Sequence, residues 1–141
     1  MIILDTDVLS AIMRPTPDEQ VVAWLDRQPR TSVWITSVTV LEIQFGLQIL
    51  PQSRRRSLLT KAFEVILADK IGRRVAPFDA ASAEYSAGLM ASRYKKGRPV
   101  ELRDTMIAGI ALATHASLAT RNIPHFEDLP LPVINPWTTL S

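Results

Sequence analysis

Residues 1–10 read MIILDTDVLS: an apolar run, Met1 to Leu4, goes straight into Asp5, and a second acid, Asp7, follows one residue later. Aspartate is disfavoured in strands and at best neutral inside helices. The pair therefore marks an edge, with a strand over Ile2–Leu4 ending on acid and a short helix running from Asp7 toward Met13. Either acid can cap that helix, and Asp7 is the expected cap.

Working outward, TPDE (Thr16–Glu19) has the chemistry of a helix start: Thr16 as N-cap, Pro17 at the first helical position and Glu19 closing a capping box. That helix turns Val21, Val22 and Leu25 inward and stops near Pro29. SVWIT (Ser32–Thr36) reads as a buried strand, and Ser37 caps a helix from Val38 to Leu50 that ends against Pro51. An amphipathic helix over Ser53–Ala68 and a third strand in RRVAPF (Arg73–Phe78) follow. Asp79 caps a long Ala-rich helix that closes at Lys95-Lys96-Gly97. Its residues Ala80, Ala83, Ala87 and Ala91 share a face, which suits either the protein's own sheet or a second copy. After Pro99 come a helix from Arg103 to Thr114, a fourth strand over Ala116–Thr120 and a short fifth over Leu131–Ile134. Short strands, apolar on both faces and alternating with helices, predict a three-layer α/β fold with a parallel sheet. In such sheets ligands sit beyond the carboxyl ends of the strands, where Asp5 stands.

At 141 residues the chain suffices for one well-cored domain, residues 1–141. It contains no cysteine, so thiolate metal sites, thiol nucleophiles and disulfides are excluded. No apolar run is long enough to span a membrane, and only three apolar residues lie between Met1 and Asp5, too few for a signal-peptide core. These features predict a cytoplasmic protein. The net charge is +2 and the pI about 9.3, with basic clumps at Arg54–Arg56, Arg73–Arg74 and Lys95–Arg98. That balance permits a nucleic-acid partner without requiring one.

Dinucleotide and Walker-type loops are absent, as is a nucleophile elbow. His115 and His125 stand at no metal-ligand spacing, and His115 suits the negative end of a helix dipole. The acids are more informative. Glu42 lies in VTVLEIQFGLQIL, apolar around most of its circumference, where an unsatisfied charge is costly. Thr39, Glu42 and Gly46 fall on one stripe, and the glycine leaves room beside the acid. Asp104, ahead of MIAGIALA, would by default cap its helix or pair with Arg103. Taken together, Asp5 at a strand end and Glu42 and Asp104 in the first turns of helices can meet at one sheet edge. Three carboxylates together repel one another, and a hard divalent ion such as Mg²⁺ relieves that. The matching reaction is phosphodiester hydrolysis by metal-activated water.

The stretches ILDTDVLS, ITSVTVLEIQFGL, GRPVELRDTMIAGIALA, LATRNIPHF and VINPW, in this order across the chain, resemble PIN-domain ribonucleases. Specifically, they are similar to VapC-type toxins of type II toxin–antitoxin systems, including the FitB-like branch. The resemblance implies a five-stranded parallel sheet in the order 3-2-1-4-5 and a Mg²⁺ or Mn²⁺ site. It implies Asp5, Glu42 and Asp104 as metal-binding catalytic acids, with Thr6 as a supporting hydroxyl. Where the family often has Asp in a Thr-x-Asp pattern this chain has Asn122, an accessory position without charge, which weakens the basis for a second tightly held metal. An RNA substrate, a homodimer and a VapB-like antitoxin are also implied, with DNA bound only indirectly through the antitoxin. Arg121 is the expected basic residue nearest the scissile phosphate, or else a surface charge.

Two rivals stand beside this reading. ILDTDVL also satisfies the start of a haloacid-dehalogenase-like phosphatase, with Asp5 as nucleophile and Asp7 as acid/base. That enzyme needs later acids, where this chain has Arg121-Asn122, and leaves Glu42 without a task. A receiver-like domain needs a phosphoacceptor, for which Asp79 is available, and a late lysine, yet none follows Lys96.

Overall fold

Short strands that bury side chains on both faces need helices above and below, and the chain supplies them. The computed structural model describes residues 1–138. Its strands are β1 (Ile2–Leu4), β2 (Val33–Thr36), β3 (Val75–Ala76), β4 (Ser117–Ala119) and β5 (Val133–Ile134). They form one five-stranded sheet in the order β3-β2-β1-β4-β5. Every neighbouring pair is parallel, with Ile3 opposite Trp34 on one side and Leu118 on the other. The helices are α1 (Thr6–Met13), α2 (Glu19–Asp26), α3 (Ser37–Gln48), α4 (Arg54–Val65), α5 (Ala80–Lys95) and α6 (Leu102–Thr114).

Two cores lie on the two faces of the sheet. Leu4, Val33, Ile35 and Ala119 point to one side, where they pack with α1 to α4 through Leu9, Leu25, Leu47 and Phe63. Ile3, Ala76 and Leu118 point to the other, against Ile107, Ile110 and Ala111 of α6 and the buried Phe126. The chain moves outward from β1 to β3 and then returns to place β4 on the opposite side of β1. The strand order therefore switches direction between β1 and β4, and a crevice forms beyond their carboxyl ends. Asp5 follows β1 there, and Thr120 to Asn122 follow β4.

Several expected caps are corrected. Asp5, not Asp7, caps α1 by accepting the Thr6 N–H. Asp18, not Thr16, caps α2, accepting from Gln20 and Val21, so Pro17 lies outside the helix. Thr36, the last residue of β2, caps α3, while the Ser37 hydroxyl receives the Phe78 N–H. In each case the cap is the residue whose backbone is still extended as it leaves the preceding segment, a property set by the path of the chain. Asp104 does not cap α6: the capping position is Glu101, which makes no side-chain cap bond. The fourth helix is shorter than expected, with a π-type turn over Ile66–Lys70. His115 ends α6 in the left-handed backbone region (φ 55°), so its role there is a backbone turn.

α5 packs on α6 through Ser82, Ser86 and Arg93, all buried. The approach is close because α6 carries Gly109, where a Cβ would stand 1.9 Å from the Ser86 hydroxyl. Ala80, Ala83, Ala87 and Ala91 are exposed, so they do not pack on the protein's own sheet. Similarly, the apolar circumference of α3 is divided: Ile43 and Leu47 face the core, while Leu41, Phe45 and Ile49 face outward.

Candidate active site

Asp5 is the deepest acid of the crevice, at 5 % exposure. One carboxylate oxygen accepts the Thr6 N–H at 2.8 Å, and the other accepts the Thr120 hydroxyl at 2.8 Å. Burial, followed by the nearby charge of Asp7, pushes its pKa up to about 7. Asp7 is also raised, chiefly by burial, and one of its oxygens accepts the Arg121 N–H at 3.0 Å. Its other oxygen, Oδ1, is buried and has no hydrogen-bond partner among the described residues.

Glu42 reaches the crevice from the sixth position of α3. The Thr6 hydroxyl donates to it at 2.7 Å and lies 2.9 Å from the Thr39 hydroxyl. Because Thr6 has only one hydroxyl proton, Thr39 donates to Thr6, and Thr36 donates to Thr39 at 3.4 Å. A directed chain of three hydroxyls thus runs from the end of β2 to Glu42. Arg103 lies 3.8 Å from the far oxygen of Glu42 and bonds Glu101 at 2.8 Å, so it pairs with these acids rather than with Asp104.

Asp104 lies in the first turn of α6, and its charge contributes to raising both Asp5 and Asp7. Its Oδ2 is 2.6 Å from Nδ1 of His125, and the Asn122 amide is 2.7 Å from the same nitrogen. The Asn122 backbone N–H donates to the Thr120 hydroxyl, which in turn donates to Asp5. Asn122 therefore joins the two halves of the site, by its backbone on one side and its side chain on the other. His125 belongs to the site although it stands at no metal-ligand spacing from His115 in the sequence. The usable signal was Asn122-x-x-His125 in a tight turn directly after β4.

A groove of about 700 Å³ opens beside these acids, lined by Thr6, Asp7, Glu42, Gly46, Arg103 and Arg121 among others. Nothing lies within 4 Å of where a Gly46 Cβ would be, which keeps the approach to Glu42 clear. The Arg121 guanidinium sits 4.9 Å from the centre of the Trp137 ring, a cation–π contact that holds it over the groove.

The donor set, carboxylates with hydroxyls and an amide, is all-oxygen and suits a hard divalent ion. Burial and repulsion among the acids raise Asp5 and Asp7, and a cation beside them would relieve both and give the buried Asp7 Oδ1 a partner. Among the described residues, however, no three His, Asp or Glu side chains already surround one point at metal-ligand spacing. Thr6 meets only Oε1 of Glu42 and His125 only Oδ2 of Asp104, so an ion would take the other oxygen of each carboxylate.

Residues 2–129 match the family model of the PIN domain, and the chain belongs to that family. Over 97 % of its length it is 36 % identical to a VapC ribonuclease of Sinorhizobium fredii, covering 98 % of that protein. It is 32 % identical to the toxin FitB of Neisseria gonorrhoeae, over 97 % of this chain and 99 % of the toxin. The crystal structure of FitAcB from the same organism superposes with a TM-score of 0.88 at 32 % identity, covering 99 % of this chain and all of that one. The strand order and the three-layer architecture are those the sequence resemblance implied. The phosphatase alternative is not favoured: Glu42, idle in that reading, is tied into the site through Thr6. The receiver reading also loses its acceptor, since Asp79 is engaged in capping α5. Among the described residues no helix is long and apolar enough to cross a membrane.

Proposed function

We propose that this chain is a divalent-metal-dependent endoribonuclease, the toxin of a type II toxin–antitoxin pair. What supports the reading is that Asp104 lies close enough for its charge to act on Asp5 and Asp7, and that Glu42 is bonded to Thr6, beside an open groove edged by Arg103 and Arg121. Asp5, Glu42 and Asp104 would hold Mg²⁺ or Mn²⁺, which when bound activates water and stabilises the leaving oxygen of an RNA phosphodiester. The chain's own residues supply the rest. Thr120 and the Thr6 N–H orient Asp5, the hydroxyl relay orients Glu42, and Arg121 is placed to meet the RNA backbone.

A VapB-like antitoxin is the expected partner, because similar proteins were solved as FitAcB and as FitAB bound to a DNA fragment. DNA would then meet this chain only through the antitoxin. The outward apolar stripe Leu41, Phe45 and Ile49 supports a protein partner. The exposed alanine face of α5 supports a homodimer, with Tyr94 at 83 % exposure further along the helix. Light scattering at micromolar concentration should read a dimer, and a clean monomer would remove that part of the proposal.

Purified protein should cleave RNA with Mg²⁺ or Mn²⁺ and stop on chelation. Asp104→Asn, which keeps size and an acceptor, should remain folded and lose roughly a hundredfold or more of the cleavage rate, beyond the 10–100-fold typical of losing a ligand's hydrogen-bond partner. Asp7→Asn should cost less than about tenfold, since an amide oxygen can still accept the Arg121 N–H. Undiminished cleavage by Asp104→Asn would sink the metal assignment, and inactivity confined to Asp7→Asn would restore the phosphatase chemistry.

A further inference from the structure

We infer that His125 is a positioning residue for Asp104, acting through an Nδ1–H shared between the Asp104 carboxylate and the Asn122 amide oxygen. The inference rests on the reading of Asp104 as a metal-binding acid. Two groups crowd one ring nitrogen: Asp104 Oδ2 at 2.6 Å and the Asn122 amide at 2.7 Å. A carboxylate only accepts, so Nδ1 must carry the hydrogen. An Nδ1 that donates cannot also receive an amide N–H. The two ends of an amide have the same shape, so hydrogen-bond logic sets its orientation and turns the carbonyl oxygen toward the ring. One N–H then serves two acceptors, and whenever the ring is neutral this selects the Nδ1–H tautomer. Among the described residues no hydrogen-bond partner to Nε2 is seen.

The turn carrying the ring is itself fixed. Arg93, on α5, is 3 % exposed. Its Nε and Nη2 grip both oxygens of Asp128 at 2.9 Å, its Nη1 donates to the Thr105 hydroxyl at 3.0 Å, and Nη2 also donates to the His125 carbonyl. Thr105 is the residue after Asp104. The same guanidinium therefore ties down the backbone of His125 and the neighbour of Asp104, so ring and carboxylate are referenced to one rigid group. A ring that only filled space would need neither this anchor nor the amide on its nitrogen.

Hydrogen-bond partners of metal-binding side chains typically govern 10–100-fold in metal affinity. The test is calorimetric titration of Mn²⁺, without RNA, into wild type, His125→Ala, His125→Asn and Asp104→Asn, each first shown by melting to be folded. Alanine should weaken Mn²⁺ binding about tenfold or more. Asparagine, whose amide nitrogen can stand where Nδ1 stands, should recover most of that loss. Nitrogen-15 ring spectra of the wild-type protein, at a pH where the ring is neutral, should report the Nδ1–H tautomer. Full Mn²⁺ affinity in His125→Ala while Asp104→Asn loses it would overturn the inference and spare the metal reading. So would an asparagine variant as weak as alanine, or an Nε2–H tautomer in the wild type. Unchanged affinity in Asp104→Asn would instead overturn the metal reading, leaving the tautomer to decide the hydrogen bond.

Discussion

Asp5 takes its hydrogen bonds from the strand ends themselves, whereas Asp104 takes its bond from a ring delivered by a turn 21 residues further along. The Asp5–Glu42 half is built from the ends of β1, β2 and β4 and the hydroxyls of Thr6, Thr36, Thr39 and Thr120. The other half hangs on α6, on a tight turn over Ile123–His125 and on the buried Arg93. One half inherits its geometry from the sheet, and the other must be braced. The difference locates where the site can be loosened without unfolding the protein.

The strongest way to break the braced half is Arg93→Met. The change keeps the stem that fills the α5–α6 seam and removes every bond to Asp128, Thr105 and the His125 carbonyl. Chemical denaturation should show a loss of about 2–3 kcal/mol, the scale of hydrogen bonds to a charged group. RNA cleavage should fall further than stability alone explains, because Asp104 and His125 lose their common reference. Next comes Gly109→Ala, whose new Cβ would meet the Ser86 hydroxyl at 1.9 Å and the Ser82 carbonyl at 2.6 Å. Pushing α5 from α6 should cost about 1–3 kcal/mol, the usual range for overpacking, and Ser86→Gly in the same chain should return part of it.

The smallest effect is one of pH. Hydrogen bonding from Arg93 holds the Asp128 carboxyl below its ordinary value of 3.8. A lowered folded pKa means that the stabilisation is complete above the ordinary value, shrinks as pH falls below it, and is gone beneath the folded value. Denaturation midpoints should therefore begin to drop as pH falls through the ordinary carboxylate value of 3.8 in the wild type, and drop less in Arg93→Met. An equal drop in both proteins would mean that the pair does not brace the turn.

The same division explains what the sequence reveals. The β1 stretch and Asp5 are legible because an acid directly after a buried apolar run can only be an edge. Glu42 stands out because its helix is apolar around it, whereas Thr6 is named only through the family resemblance. The Asp104 half is legible only as an acid ahead of an apolar helix. Its partner His125 reaches it through a fold-back of the chain after β4, and no local pattern encodes that distance. Arg93 is not singled out in the sequence, yet it lies on the inward stripe Ser82, Ser86, Leu89 and Arg93, a pattern that marks it as buried. The caps stand one to three residues from their expected positions for a related reason: several neighbouring hydroxyls and carboxylates can cap, and the exit angle from the preceding segment chooses among them.

The central claim is that acids from both halves hold one divalent ion. On the proposed reading Asp5, Glu42 and Asp104 would supply the carboxylates for that ion, and Asn122 offers only a neutral oxygen, so a second ion would lack a carboxylate of its own. Calorimetric titration of Mn²⁺ into the wild-type protein without RNA tests this most directly, with Asp5→Asn and Asp104→Asn alongside. One firm site, weakened by loss of either acid, is the result the account requires. Two firm sites in the wild type, or a site indifferent to one of the two acids, would contradict it.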